Sequence, residues 1–150
     1  MRRQRAETLA SQLMRASLLA TALLALLAAA GCGGSPSPEE VTSTAVSGLS
    51  KGDEKKVCAQ LTEPAKRTLL RVIADDPPII EPVKAETCEE AIVKVHAQLS
   101  QPIRAVLEDG EVDEAKITGD RAVVHVTGAG ADVELQKIDG EWKITGGLFR

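Results

Sequence analysis

The sequence predicts an α+β domain in which N-terminal helices pack on one face of an antiparallel sheet of about four strands. Three observations support this fold class. Between residues 38 and 107, apolar residues recur every three to four positions, as they do on one face of a helix. After Asp109-Gly110 the apolar period changes to two, which is typical of half-buried strands. Short loops with Gly and Asp separate the later segments and favour antiparallel neighbours.

Capping residues mark the helix boundaries. Ser37 and Glu40 are spaced as a capping box, Pro38 stands at the first helical position, and Gly52 ends this helix. A second box is expected at Thr87, with its partner Glu90. The four expected helices begin near Pro38, Asp53, Thr62 and Thr87, and they end near Leu49, Leu61, Asp75-Asp76-Pro77-Pro78 and Leu99. Pro102 is expected to break or restart the chain before residues 103–107.

Four strands are expected after the helices, and their ranges are Glu111–Ile117, Arg121–Thr127, Asp132–Ile138 and Glu141–Thr145. Counting across the two-residue Asp139-Gly140 turn places Trp142 opposite Lys137 and Ile144 opposite Leu135. The face covered by the helices is therefore expected to carry Val133, Leu135, Trp142 and Ile144, with Val124 on the neighbouring strand.

A similar count across Gly119-Asp120 predicts the face of the first strand. It places Ile117, Ala115 and Asp113 on the inner side, with Ala122, Val124 and Val126. Asp113 is then the one inward-facing carboxylate. The same register places His125 beside Glu114 on the outer face, where a solvated ion pair is the more common role for such a histidine.

The N-terminal segment has the three parts of an export signal. Arginines come first, residues 16–30 carry no charge, and Ala29-Ala30-Gly31-Cys32 follows with small residues before the cysteine. Fifteen helical residues reach only ~22 Å, which is less than the ~30 Å of a bilayer core. The segment resembles the lipobox of bacterial lipoproteins, which implies cleavage between Gly31 and Cys32 and lipidation of Cys32. An ordinary secretory signal is the alternative.

The predicted organisation is a signal peptide at residues 1–31, a lipidated cysteine and flexible linker at 32–37, and one domain at 38–150. The formal charge of the whole chain is −4, and it becomes −7 when the four arginines and Glu7 of the signal are removed. An acidic domain without a basic cluster does not favour nucleic-acid binding. The lipid therefore provides the expected attachment to the bacterial membrane, on its extracytoplasmic face.

Cys58 and Cys88 are the remaining cysteines, and in an oxidising compartment such a pair most simply forms a disulfide. A redox or metal-binding pair is the alternative. It lacks a CxxC spacing and a neighbouring histidine or further cysteine.

Two segments resemble small bacterial lipoproteins of the nuclear transport factor 2-like superfamily. They are residues 137–144, an Asp-Gly turn followed by Trp-Lys-Ile, and residues 58–62. The resemblance implies a curved sheet around helices that forms a cone with a pocket. Members of this superfamily include isomerases and dehydratases as well as non-catalytic binding or assembly modules, so the fold does not determine the function. The expected pocket or core residues are Trp142, Leu135, Ile144 and Val124.

The leading functional hypothesis is a non-enzymatic binding or envelope-assembly domain that takes a small apolar ligand or an envelope protein. The alternative is an isomerase or lyase that uses Asp113 and His96, although the chain lacks the tyrosine that such isomerases use. His96 is also expected as a boundary histidine with a hydrogen-bonded ring. A purely architectural spacer is a third possibility. No cofactor or metal site is expected, and oligomeric state and the number of membranes in the host stay open.

Overall fold

The structure is a computed structural model, and it describes residues 34–75 and 80–149. The predicted signal, Gly31, Cys32 and the prolines Pro77 and Pro78 lie outside the described residues. Five helices precede four strands, in the order α1 Pro38–Lys51, α2 Glu54–Gln60, α3 Glu63–Asp75, α4 Cys88–Gln98, α5 Gln101–Asp109, β1 Lys116–Thr118, β2 Arg121–Val126, β3 Ala131–Ile138 and β4 Glu141–Gly146. The described part of the chain contains no helix long and apolar enough to cross a membrane.

Helix α1 begins and ends as its caps predict. The Ser37 hydroxyl accepts a hydrogen bond from the Glu40 N–H at 3.3 Å, and Glu40 accepts one from the Ser37 N–H at 3.0 Å. Gly52 closes the helix in the left-handed conformation with a φ of 69°, which glycine adopts without steric cost. The first capping box is therefore confirmed in both of its hydrogen bonds.

At the start of helix α4, one of the two hydrogen bonds of the expected capping box is formed. Thr87 accepts from the Glu90 N–H at 3.1 Å. The Glu90 carboxylate, however, accepts from the N–H of Glu86 at 2.8 Å. It also pairs with Lys94 one turn later, at 2.6 Å. This carboxylate thus fixes the residue before the cap as well as the first turn of the helix.

The sheet is antiparallel with the order β1-β2-β3-β4. In the last hairpin, Lys137 pairs with Trp142 and Leu135 pairs with Ile144. The register counted from the Asp139-Gly140 turn is therefore confirmed. Asp139 and Gly140 both have positive φ, as a tight two-residue hairpin turn requires.

The first strand is much shorter than expected, and its register changes along its length. Ile117 pairs with Ala122 as predicted, but the chain before β1 is irregular and Val112 bridges to Val126. In a regular antiparallel pair, each step back along one strand matches one step forward along the other. From Ile117 back to Val112 there are five steps, whereas from Ala122 to Val126 there are four. One extra residue therefore shifts the side-chain alternation between residues 112 and 116. The prediction that Asp113 faces inward is wrong, because Val112 takes the inward position and Asp113 is exposed.

The helices cover one face of the sheet, which confirms the α+β arrangement. Residues 35–150 form one compact unit, and one cluster of buried side chains joins helices and strands. The strand residues in this cluster are Ala122, Val124, Val126, Val133, Leu135, Trp142 and Ile144. The other face of the sheet is open to solvent, since the outward-facing residues of β2 and β3 are exposed.

Two further connections hold the helices to each other and to the sheet. Leu61, the residue that ends α2, forms a parallel bridge with Ile144, and the Thr62 N–H donates to the Ile144 carbonyl at 3.0 Å. The expected Cys58–Cys88 disulfide is present and ties α2 to the first residue of α4, across 30 positions of sequence. Both cysteines are buried.

Candidate functional site

The residues expected in the pocket are buried among packed side chains. Val124 and Ile144 are 0% exposed, and Leu135 and Trp142 are exposed to 2% and 9%. Core residues of the helices pack in the same cluster, among them Leu49 and Leu69. The inner face of the sheet is therefore filled by side chains at these positions.

A small apolar pocket lies between α3 and the chain that follows β4. Its volume is about 80 Å³. Its lining residues are Leu61, Ala65, Thr68, Leu69, Ile144, Thr145, Gly146, Gly147, Leu148 and Phe149. Pockets for drug-sized ligands measure about 300–1,000 Å³, so this one accepts only a few heavy atoms.

Asp113 lies on the outer side of the sheet, at the surface. Its N–H donates to the carbonyl of His125 at 2.9 Å. Its Oδ1 accepts from the Thr127 hydroxyl at 3.2 Å. The carboxylate is exposed, so the environment that would make it a buried base is missing at this position.

His96 lies in the last turn of α4, and its ring reaches the end of α1. Its Nε2 is 3.1 Å from the Ser50 carbonyl oxygen, and because a carbonyl only accepts, Nε2 carries the proton. The ring also packs so closely on Gly52 that a Cβ at that glycine would lie 2.8 Å from Nδ1. These contacts match the expected boundary histidine. His96 and Asp113 share no hydrogen-bond partner, and neither lines the small pocket.

His125 is exposed on the outer face, as expected, but its partner differs from the prediction. Its Nδ1 is 2.8 Å from Oδ1 of Asp132, the residue directly opposite it in β3. Glu114 was expected there on a uniform register of β1. The strand alternation narrowed the choice of partner, because a register in which Val126 and Val133 both face inward pairs residue 125 with an even-numbered residue of β3, and residue 132 is one of these.

The carboxylates with lowered pKa values belong to the first turns or the caps of helices. The pKa of Glu39 is held below 4.5 by hydrogen bonds from Ser37 and from the Ala115 N–H, which lies 2.8 Å from Oε1. The pKa of Glu90 is lowered by the Glu86 N–H and by Lys94. Asp53 and Glu63 follow the same pattern through Lys56 and Lys66, respectively. Hydrogen bonds from nearby N–H groups and side chains, among them lysines, account for these shifts.

Trp142 and Lys137 form a local pair at the end of the last hairpin. The Lys137 ammonium lies 5.8 Å from the centre of the Trp142 ring, within the range of a cation–π contact. Since Trp142 is almost fully buried and the lysine is exposed, the lysine covers the ring at the edge of the core. The ring serves packing rather than an open stacking surface.

Comparison with known proteins gives no relative. No protein-family model matches the chain, and neither a curated protein nor a solved structure matches it significantly. The resemblance to nuclear transport factor 2-like lipoproteins therefore stays a prediction. Within residues 34–75 and 80–149, no group of three or more His, Cys, Asp or Glu side chains is arranged to hold a metal ion.

Proposed function

We propose that the protein is a bacterial lipoprotein held by acylated Cys32 on the extracytoplasmic face of the membrane, where its domain binds an envelope protein without catalysing a reaction. The observation that supports the anchor is the sequence Ala29-Ala30-Gly31-Cys32, which follows an uncharged run rich in alanine and leucine. Two acyl chains anchor a protein durably, whereas one chain gives marginal binding. The resemblance to nuclear transport factor 2-like lipoproteins is part of this proposal.

The disulfide supports an exported location. Cys58 and Cys88 are joined with a Cα separation of 6.0 Å, which is within the usual range for a disulfide. Such bridges persist in oxidising compartments and are rare in the bacterial cytosol. With these two residues paired, Cys32 is the one remaining cysteine of the sequence.

The filled inner face of the sheet is the observation that carries the choice of a protein partner. Helices α1 to α4 occupy the side of the sheet where a cone pocket would open, and the apolar space left there is about 80 Å³. A small ligand of ordinary size needs several times that volume. The outer face of the sheet stays uncovered and exposes Val123 and Ile138 to 38% and 41%. Contacts of this domain are therefore expected at its surface.

The mass of the processed protein tests the anchor. The full chain is produced in a bacterium, extracted from membranes with detergent and measured intact by mass spectrometry. We expect the mass of residues 32–150 plus a diacylglyceryl group, and accumulation of the unprocessed chain for Cys32→Ser. A native product with an unmodified Cys32 or an intact leader would refute the lipoprotein assignment.

Cross-linking in intact cells tests the binding role. A photoreactive amino acid is placed at Val123 on the open face, and the matched control carries it at the exposed residue Arg67 of α3. We expect one envelope protein to be cross-linked from position 123 and not from position 67. Equal, diffuse cross-linking from both positions would contradict a specific partner on the outer face.

A further inference from the structure

The two edges of the sheet are closed in different ways. Along β4, the chain between α2 and α3 lies against the strand, since Leu61 bridges to Ile144 and the Thr62 N–H donates to the Ile144 carbonyl at 3.0 Å. At the other edge β1 is the last strand, and within residues 34–75 and 80–149 no further strand pairs with it. We call the outer side of residues 112–117 the β1 edge. Free backbone groups at such an edge can pair with a strand of another chain.

The hydrogen bonds of β2 show which backbone groups of β1 point away from the sheet. The Asp113 N–H donates to the His125 carbonyl at 2.9 Å, so the odd-numbered residues of β2 direct their backbone groups to β1. The β1 residues opposite Arg121 and Val123 therefore bond to β2, and Ile117 between them directs its N–H and C=O to the β1 edge. Its side chain is 55% exposed. The edge thus presents backbone groups and apolar surface together.

One carboxylate occupies the β1 edge. In the first turn of α1, Oε1 of Glu39 accepts from the Ala115 N–H at 2.8 Å. This N–H is bonded to α1 instead of β2, and it lies two residues before Ile117. Hydrogen bonds from Ser37 and from Ala115 hold the pKa of Glu39 below 4.5, so the carboxylate is ionised at neutral pH and is a strong acceptor. A strand that paired with Ala115 would have to displace it.

Open space lies next to Glu39. A cleft of about 610 Å³ separates the first two turns of α1 from Val112 at the start of the β1 edge. Its lining residues are Pro36, Glu39, Glu40, Ser43, Thr44 and Val112. The Glu39 side chain, rather than a packed segment of chain, therefore holds the position at which an added strand would bond to Ala115.

A second copy of the chain has the charge pattern that fits this edge. When two β1 edges pair antiparallel with Ala115 opposite Ala115, Glu114 of each copy lies opposite Lys116 of the other. Two pairs of opposite charge then flank the central pair, which favours this register. Pairing Ala115 with Ile117 would instead set Lys116 against Lys116.

We propose that Glu39 blocks strand addition at the β1 edge: by holding the Ala115 N–H, it prevents a second copy from pairing its own β1 edge and keeps the domain monomeric. The short β1, its irregular register and Lys116 act in the same direction, because each makes an edge a poorer template. This block does not depend on the proposed lipid anchor or on the proposed envelope partner.

Substitutions at Glu39 test the block. Glu39→Ala removes the acceptor, and Glu39→Gln is the matched control, because it removes the charge but keeps a side-chain carbonyl oxygen at the same reach. The full chain is purified in detergent as an equal mixture of unlabelled and heavy-nitrogen protein. It is then treated with a carbodiimide, which joins a lysine amine directly to an adjacent carboxylate. A cross-link between a light and a heavy chain comes only from two copies.

We expect light–heavy cross-links between Glu114 and Lys116 to be at least tenfold more abundant in Glu39→Ala than in the natural chain or in Glu39→Gln. Adding Ile117→Pro to Glu39→Ala should abolish the increase, because proline removes an N–H that an added strand needs. Cross-linking of Glu39→Ala no stronger than that of either reference, or unchanged by Ile117→Pro, overturns the proposal. Glu39→Ser, whose hydroxyl is too short to reach Ala115, takes the same test if Glu39→Ala does not fold.

Amide hydrogen exchange of the natural chain tests the contact itself. The Ala115 N–H is hydrogen-bonded to Glu39, whereas the N–H of Ile117 points to the open edge. We expect the Ala115 amide to exchange at least tenfold more slowly than the Ile117 amide. Equal exchange at the two positions would show that Glu39 does not hold the edge in solution, and would overturn the proposal independently of cross-linking.

Discussion

At the end of β4, Gly147 turns the chain directly against the backbone of β3. Its φ is 86°. A Cβ at this position would collide with the carbonyl oxygen of Asp132 and lie 3.0 Å from the Cα of Val133. Gly140, in the last hairpin turn, has the same φ of 86° but no heavy atom near the position of a Cβ. The two glycines thus share one backbone conformation and differ in the space around it.

Substituting each of these two glycines by alanine distinguishes the energetic cost of a strained backbone from the cost of a steric collision. Gly140→Ala is expected to cost about 1–2 kcal/mol, because a side chain is unfavourable at positive φ. Gly147→Ala adds overpacking against β3, which costs about 1–3 kcal/mol more. Urea unfolding followed by Trp142 fluorescence measures both. Equal losses for the two variants would show that β3 gives way at Gly147.

At the scale of elements, the Cys58–Cys88 bridge closes a loop across α2, α3 and the start of α4. The sequence separation is 30 residues, and the chain-entropy model gives about 3.5 kcal/mol for a loop of this length. The variant Cys58→Ser/Cys88→Ser should lose about that much free energy of unfolding in urea. The natural protein with a reducing agent is the control and should lose a similar amount. An unchanged stability would mean that the helices hold this loop closed without the bridge.

The start of α4 depends on the ionised form of Glu90. The Glu86 N–H and Lys94 lower the pKa of this carboxyl from 4.5, so its contribution to stability is complete above pH 4.5 and is lost as the pH falls through its lower value in the folded protein. Glu90→Gln should therefore be less stable than the natural protein at pH 7, and the difference should shrink in more acidic solution. Urea unfolding at a series of pH values measures this.

The matched control is Glu89→Gln in the same first turn of α4. It removes the same charge near the helix N-terminus, but the Glu89 side chain makes no hydrogen bond within the described part of the chain. We expect a smaller loss at pH 7 and a weaker pH dependence. If the two variants behave alike, the helix dipole rather than the Glu86 contact determines the effect.

Elements were predictable where a local signal fixes the geometry. The last hairpin follows from its two-residue Asp139-Gly140 turn, which sets the register by counting. The same count failed for β1 because the alternation shifts before Lys116, and a turn at one end of a strand does not report a shift farther along. The sequence did contain a signal for this shift, because the apolar residues Val112 and Ala115 are three positions apart and a regular strand would place them on opposite faces. In the structure both are half-buried, and Asp113 between them is exposed.

At the scale of the whole molecule, the sequence predicted which face of the sheet is covered but not how completely. Alternation in β3 and β4 identifies the inner residues, because the period of a strand is two. The volume left between the helices and the sheet depends on how closely α1 and α3 pack against β4. The apolar period of a helix predicts which of its faces is buried, but it does not predict this distance. For this reason Trp142 and Ile144 were correctly assigned to the inner face, while the cone pocket expected there is largely occupied by side chains.

The two faces of the sheet can be compared with one chemical change in one hairpin. Ile144 points to the inner face and is 0% exposed, whereas Ile138 lies on the open face and is 41% exposed. Ile144→Ala should cost about 2–5 kcal/mol, because it leaves a cavity in a closed core. Ile138→Ala should cost less than about 1 kcal/mol, because its site is already in contact with water. Urea unfolding of both variants measures the difference, and a large loss from Ile138→Ala would mean that something covers the outer face, such as a second copy of the chain.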